Sequence, residues 1–159
     1  MINSDNSGFS VEISLKSEYA ILALLELANH FADEQPLQIR QIASQKNIPD
    51  RYLEQLLATL RRQGLVRSHR GSKGGYVLAR EPWRISVLDI IRCIEGNEPL
   101  SIAAPKKPNG NPENPAVAVV HELWHAAQLA AADVLIGCTL KDLHEKEKLR
   151  QLATTMYYI

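Results

Sequence analysis

The sequence is short of cysteine, of long apolar runs and of net charge, and each shortage narrows what it encodes. Two cysteines in 159 residues are too few for a disulfide scaffold or a four-thiolate metal site, and they fit a reducing intracellular compartment. No apolar stretch reaches the roughly 20 residues that span a bilayer. The opening MINSDNSGF lacks the basic start and apolar core of a signal peptide. A soluble, cytoplasmic protein with no membrane partner is expected. No Ser/His/Asp constellation stands out, and Gly71 and Gly74-Gly75 flank a hairpin rather than open a helix, so they are not a P-loop.

A formal net charge of zero first argues against nucleic acid. The distribution reverses that impression. From Pro36 to Arg84 there are ten Lys/Arg and three Asp/Glu, or +7, so the remainder carries 8 minus 15, or −7. A basic segment on a neutral protein is the electrostatic footprint of nucleic-acid binding.

Residues 1–13 read as a flexible start. A buried, nearly all-apolar helix follows, SEYAILALLELANHF, with Ser17 as its N-cap. A short helix, Ile39–Lys46, precedes the tight turn Asn47-Ile48-Pro49. The next helix, DRYLEQLLATLRRQ, ends at Gly64. Its Tyr52, Leu53, Leu56, Leu57 and Leu60 form one apolar stripe, while Arg51, Gln55, Ala58, Thr59 and Arg62 share the opposite face. Two short helices joined by a tight turn, the second basic on its outer face, give a helix-turn-helix. LVRSHR and GYVLAR around Gly71-Ser72-Lys73-Gly74 read as a two-stranded wing. SVLDIIRCIE is a helix with Ser86 and Asp89 as a capping pair and Gly96 as its stop.

The expected fold is therefore mainly α with a small β wing. Its parts are a winged helix-turn-helix domain (14–96), a Pro/Asn-rich loop (97–115), a dimerisation helix (116–138) and a C-terminal helix and tail (139–159). In the long helix, Val117, Val120, Trp124, Ala127, Ala131, Val134 and Cys138 recur at spacings 3, 4, 3, 4, 3, 4. That is a heptad seam and calls for a partner helix. A helix of roughly 30 Å is too long for a small winged domain to cover, so a homodimer is expected, with packing on the first helix as the alternative.

In this arrangement Arg51 and Gln55 meet base edges in the major groove of double-stranded DNA, Arg51 donating to guanine and Gln55 pairing with adenine. Thr59, Arg61 and Arg62 are placed for phosphates. The wing tip Arg70-Gly71-Ser72-Lys73 brings a cation to the minor groove and backbone N–H groups to phosphates.

ISLKSEYAILALLELA, IRQIASQKNIPDRYLEQLLATLRRQGLVRSHRGSKGGYVLAR and ISVLDIIRCIEG resemble the Rrf2 family of bacterial regulators, closely over 13–97 and more loosely over 120–143. The resemblance implies a dimeric transcriptional repressor on a palindromic promoter site. By match to the family motif it carries Gln55, Arg70 and Gly71 over as DNA contacts and gives Glu54 a selectivity role through charge repulsion. Cluster-binding members have three loop cysteines. Here PLSIAAPKKPNGNPENPAVAVV has none, Ala118 stands where the last would be, and only His121 matches a ligand position. Ala and Pro cannot ligate iron, so the conventional cluster is excluded and the cofactor and effector are left open. The remaining candidate ligands for an unconventional cluster or metal are Glu18, Cys93, His121, His125 and Cys138. His121-Glu122-Leu123-Trp124-His125 is also a literal H-E-x-x-H, which on a helix sets two imidazoles on one face. It lacks a third ligand and a strand to hold a peptide. No enzyme is expected, and a zinc hydrolase is the alternative reading.

Overall fold

Ser14, not Ser17, begins the first helix. The computed structural model describes residues 12–96 and 114–158; the rest of the expected flexible start (1–11) and of the Pro/Asn-rich loop (97–113) lies outside the described residues. In α1 (Leu15–Asn29) the Ser14 Oγ accepts from the Ser17 N–H at 3.1 Å. Ser17 sits inside the helix, fully buried, and donates its hydroxyl to Glu95 Oε1 at 2.8 Å; Ser14 donates to the same oxygen. These two bonds hold the Glu95 carboxyl below the usual carboxylate range. The end of the fourth helix thus fixes where the first begins.

The helix-turn-helix follows its expected bounds. α2 (Ile39–Lys46) and α3 (Asp50–Arg62) are joined through Asn47, which takes the left-handed conformation at φ 53° and so reverses the chain in three residues. Ala20, Ala23 and Leu24 of α1, Ile42 of α2 and Leu53, Leu57 and Leu60 of α3 meet in one core.

β1 (Val66–His69) and β2 (Gly75–Leu78) pair antiparallel, Val66 opposite Leu78 and His69 opposite Gly75. Val66 and Leu78 are buried in the core, and the Gly74 N–H closes the hairpin tip on the Gly71 carbonyl at 3.0 Å. Leu37 adds a single bridge to Tyr76 on the other edge, its N–H and C=O both paired. This close approach explains Gly75. Its φ is 153°, and a Cβ there would lie 2.4 Å from the Leu37 carbonyl oxygen. Gly75→Ala is therefore expected to lower stability by about 1–3 kcal/mol or more through overpacking. Gly71→Ala should cost less, because nothing lies within 4 Å of its Cβ position although its φ is 109°. Urea midpoints of the two variants check this; equal midpoints would contradict it.

A 3-10 turn (Pro82–Arg84) leads into α4 (Val87–Glu95), where Ser86 and Asp89 form the expected reciprocal cap. α5 (Pro115–Ile136) begins one residue earlier than the sequence suggests: Pro115, assigned to the loop, is its first residue, after the Asn114 cap. α6 (Leu140–Tyr157) starts at the Thr139–Asp142 capping box. It folds back on the domain through Val87 N–H to Cys138 C=O and Leu140 N–H to Ile85 C=O, and Leu140 is fully buried.

One ion-pair cluster joins three helices. Lys46 Nζ, at the end of α2, lies 2.7 Å from Glu147 Oε1 of α6 and 3.6 Å from Glu26 Oε2 of α1. Its side chain is 11% exposed. Removing one partner of such a buried pair strands a charge, at about 3–5 kcal/mol, so the cluster locks α6 to the helix-turn-helix.

α5 has no buried residue. On its seam Val117, Trp124 and Ala131 are half-buried, Ala127 is exposed, and Val120 and Val134 are 59% and 71% exposed. Its neighbour within the chain is α4.

Candidate nucleic-acid interface

The stripe that buries Leu53, Leu56, Leu57 and Leu60 turns the opposite face of α3 outward. Arg51, Glu54, Gln55 and Arg62 are exposed, and Thr59 is half-buried. Thr59 is already engaged: its hydroxyl donates to the Gln55 carbonyl at 3.2 Å and accepts from Arg62 Nη2 at 3.2 Å. The pair therefore presents Arg62 in a fixed pose. Arg61 turns toward the wing, its Nη1 donating to Ser68 Oγ of β1 at 3.3 Å. That bond ties the last turn of α3 to the hairpin.

At the wing tip Arg70, Gly71, Ser72 and Lys73 are all exposed. Among the described residues Arg51, Arg70 and Lys73 form no ion pair. Unpaired cations on a helix face and on the adjoining hairpin form the pattern that neutralises phosphates and releases counterions. Asp50 and Glu54 interrupt it near the N-terminus of α3, so the reading end of the helix carries both signs.

The sequence reading missed Lys16. This residue lines a shallow groove with Tyr52, Gln55, Leu56, Thr59 and Ile94, so α1 brings a cation beside the exposed face of α3. Tyr19 packs edge-on against Tyr52, ring centroids 5.6 Å apart, and holds the two helices together there. The signal was Ser14: with the cap assigned to Ser17, Lys16 fell outside the helix.

The ligand-type residues do not converge within the chain. Cys138 lies at the start of α4, where its carbonyl accepts from Val87. Cys93 is six residues further along that helix, roughly 9 Å of axial rise. Burial raises the Cys93 thiol above its usual range, opposed by Arg80 and aided by Asp89, which disfavours the thiolate a metal needs. Glu18 is exposed in the first turn of α1, and His121, Glu122 and His125 are exposed on α5. Among the described residues no three His, Cys, Asp or Glu side chains form a metal-sized group. No helix among them is long and apolar enough to cross a membrane.

Comparison with known proteins agrees with this architecture. The Rrf2 family model, described as an iron-dependent transcriptional regulator, matches residues 13–146. The chain is 37% identical over 150 residues to the HTH-type transcriptional regulator CymR of Bacillus subtilis strain 168, covering 94% of this chain and 100% of that protein. It is similar to the solved structure of IscR from T. potens, at 36% identity and a TM-score of 0.72, over 89% of this chain and 92% of the other. It is also similar to the oxidized form of Staphylococcus aureus CymR, at 38% identity and a TM-score of 0.66, over 85% and 97% of the two chains. The donors found here do not fit a three-thiolate iron centre, since the chain holds two half-buried cysteines set at different points along α4.

Proposed function

Because this chain belongs to the Rrf2 family of DNA-binding transcriptional regulators, we propose that it acts in the cytoplasm as a homodimeric repressor on a two-fold symmetric promoter site. The observation that carries the dimer is α5: 22 residues of helix, none buried, with an apolar heptad seam facing outward. α6 adds exposed Leu149, Leu152 and Met156. Apolar surface of this extent is covered in a monomer only by a partner, and a two-fold pairing of α5 with its copy satisfies a 3,4 seam.

Each protomer sets α3 in the major groove. Arg51 and Gln55 read base edges, Glu54 repels sites that place a phosphate or an acceptor against it, and Arg62, with Thr59, holds the backbone. Arg70 enters the minor groove while Gly71, Ser72 and Lys73 meet phosphates, and Lys16 adds a phosphate contact from α1. The Arg61–Ser68 bond fixes the angle between helix and wing. The protein has no catalytic role in this reading; His121, Glu122 and His125 belong to the exposed side of the dimer helix. Any redox response of the chain runs through Cys93 or Cys138, its two thiols.

Selection of bound duplexes from a randomised pool tests the reading. An inverted repeat is expected, with two chains bound per duplex. Enrichment of a single unrepeated element with one chain bound would overturn the dimer.

A further inference from the structure

The wing has a second side. Arg67 and Val77 are cross-strand partners, and His69 lies two residues along from Arg67, so these three project to the same face of the hairpin, opposite the buried Val66 and Leu78. That face is not flat. It forms one wall of a cleft of about 190 Å³ whose other wall is the end of α1 and the turn after it, with His30, Phe31, Glu34 and Gln35.

The cleft brings unlike charges together without pairing them. Arg67 and Glu34 both line it, yet among the described residues neither forms an ion pair, with the other or with any residue. His30 is engaged by Glu26 at 3.5 Å, so the free charges in the cleft are Arg67 and Glu34, with His69 beside Arg67. Glu34 holds a positive φ of 50°, which side chains other than Gly, Asn and Asp seldom adopt and which is concentrated at ligand clamps and tight turns. Leu27, Phe31 and Val77 give the space an apolar body. A small concave site with a few convergent polar groups is the usual form of a ligand pocket. A guanidinium on one wall, a carboxylate on the other and an apolar body between them match a molecule carrying a carboxylate and an ammonium on a short carbon skeleton.

We propose that this cleft is a binding site for a small zwitterion of the amino-acid type, its carboxylate on Arg67 and His69 and its ammonium on Glu34. The ligand joins α1 to β1 at the root of the wing. His69 is followed directly by Arg70, so, on the DNA-reading assignment above, occupancy biases the wing tip, and DNA and ligand alter each other's affinity by the same factor. This is an input that needs no metal or cluster.

Calorimetric titration of the full chain, without DNA, tests the site. The probes are three matched sets sharing a carbon skeleton: glycine, acetate and methylamine; L-alanine, propionate and ethylamine; L-valine, isovalerate and isobutylamine. At least one amino acid should bind saturably with a dissociation constant on the order of 1 mM or below. Its acid should bind more weakly, and its amine at least about tenfold more weakly, since a bidentate guanidinium–carboxylate pair is the stronger contact. Arg67→Gln should weaken the amino acid about tenfold or more. Glu34→Gln should remove the preference of amino acid over acid while leaving the acid's binding in place. Both side chains are exposed, so unchanged melting temperatures are expected. Absence of saturable binding by all three amino acids at tens of millimolar, or equal affinity in Arg67→Gln, overturns the proposal. Because no DNA is present, that outcome leaves the winged-helix reading standing.

Discussion

Val134→Glu is expected to leave the chain folded, make it monomeric and weaken binding to a two-fold DNA site by about 10²–10⁴-fold, the advantage that linking two reading heads confers. Val134 is 71% exposed in the single chain, so a carboxylate there meets water and costs the protomer little. In the dimer it faces the apolar seam of the other copy. Burying an unpaired carboxylate costs several kcal/mol per ion, and the two-fold repeats the penalty in both chains. Val120→Glu, 14 residues earlier on the seam, should act the same way. Sedimentation equilibrium reads the association state and far-ultraviolet circular dichroism the fold. A folded Val134→Glu dimer with wild-type affinity would refute the seam.

Arg70→Ala and Gln55→Ala should each cost about 1–3 kcal/mol of binding, roughly 10- to 150-fold, and each should relax preference at defined base positions. The two differ in kind. Gln55 sits on the exposed face of α3, where its amide can donate and accept toward a single base, so its loss should affect one or two positions in each half-site. Arg70 stands at a hairpin tip with no ion pair among the described residues, and its loss should affect flanking positions where a narrow minor groove raises the negative potential. Lys73→Ala and Lys16→Ala are the controls. A phosphate contact carries no sequence information, so each should weaken all duplexes alike and reduce the slope of log affinity against log salt by about 1. Parallel titrations on the selected site and on point-mutated duplexes separate the two classes. An Arg70→Ala variant with unchanged sequence preference would remove the wing from the reading head.

How much of this was legible in the sequence depends on the range of the interaction. The stripe Leu53, Leu56, Leu57, Leu60 repeats within one helix, so its buried face and the exposure of Arg51, Gln55 and Arg62 followed from periodicity alone. The α4 and α6 caps are contained in four residues each and fell where expected. The start of α1 did not. Ser14 and Ser17 are both competent caps, and what decides between them is Glu95, whose carboxylate takes both hydroxyls from 78 residues beyond Ser17. The error removed Lys16 from the helix and from the candidate interface. The Lys46–Glu147 pair spans 101 residues and left no local trace. Gly75 was read as turn chemistry, whereas its demand is steric and comes from Leu37. The cleft behind the wing needs the end of α1 and both strands at once, and its Arg67 and His69 read in sequence as ordinary polar strand residues.

The most direct test of the central claim, that a two-fold pair of basic reading heads binds DNA through α3 and the wing, is a stoichiometric binding titration on the selected duplex at several salt concentrations, with wild type and Arg70→Ala side by side. Two chains per duplex are expected. Wild-type affinity should fall steeply with salt as Lys16, Arg62 and Lys73 of both copies release counterions, and Arg70→Ala should bind about tenfold or more weakly at every salt concentration. One chain per duplex, affinity independent of salt, or an Arg70→Ala isotherm that overlays wild type would contradict it.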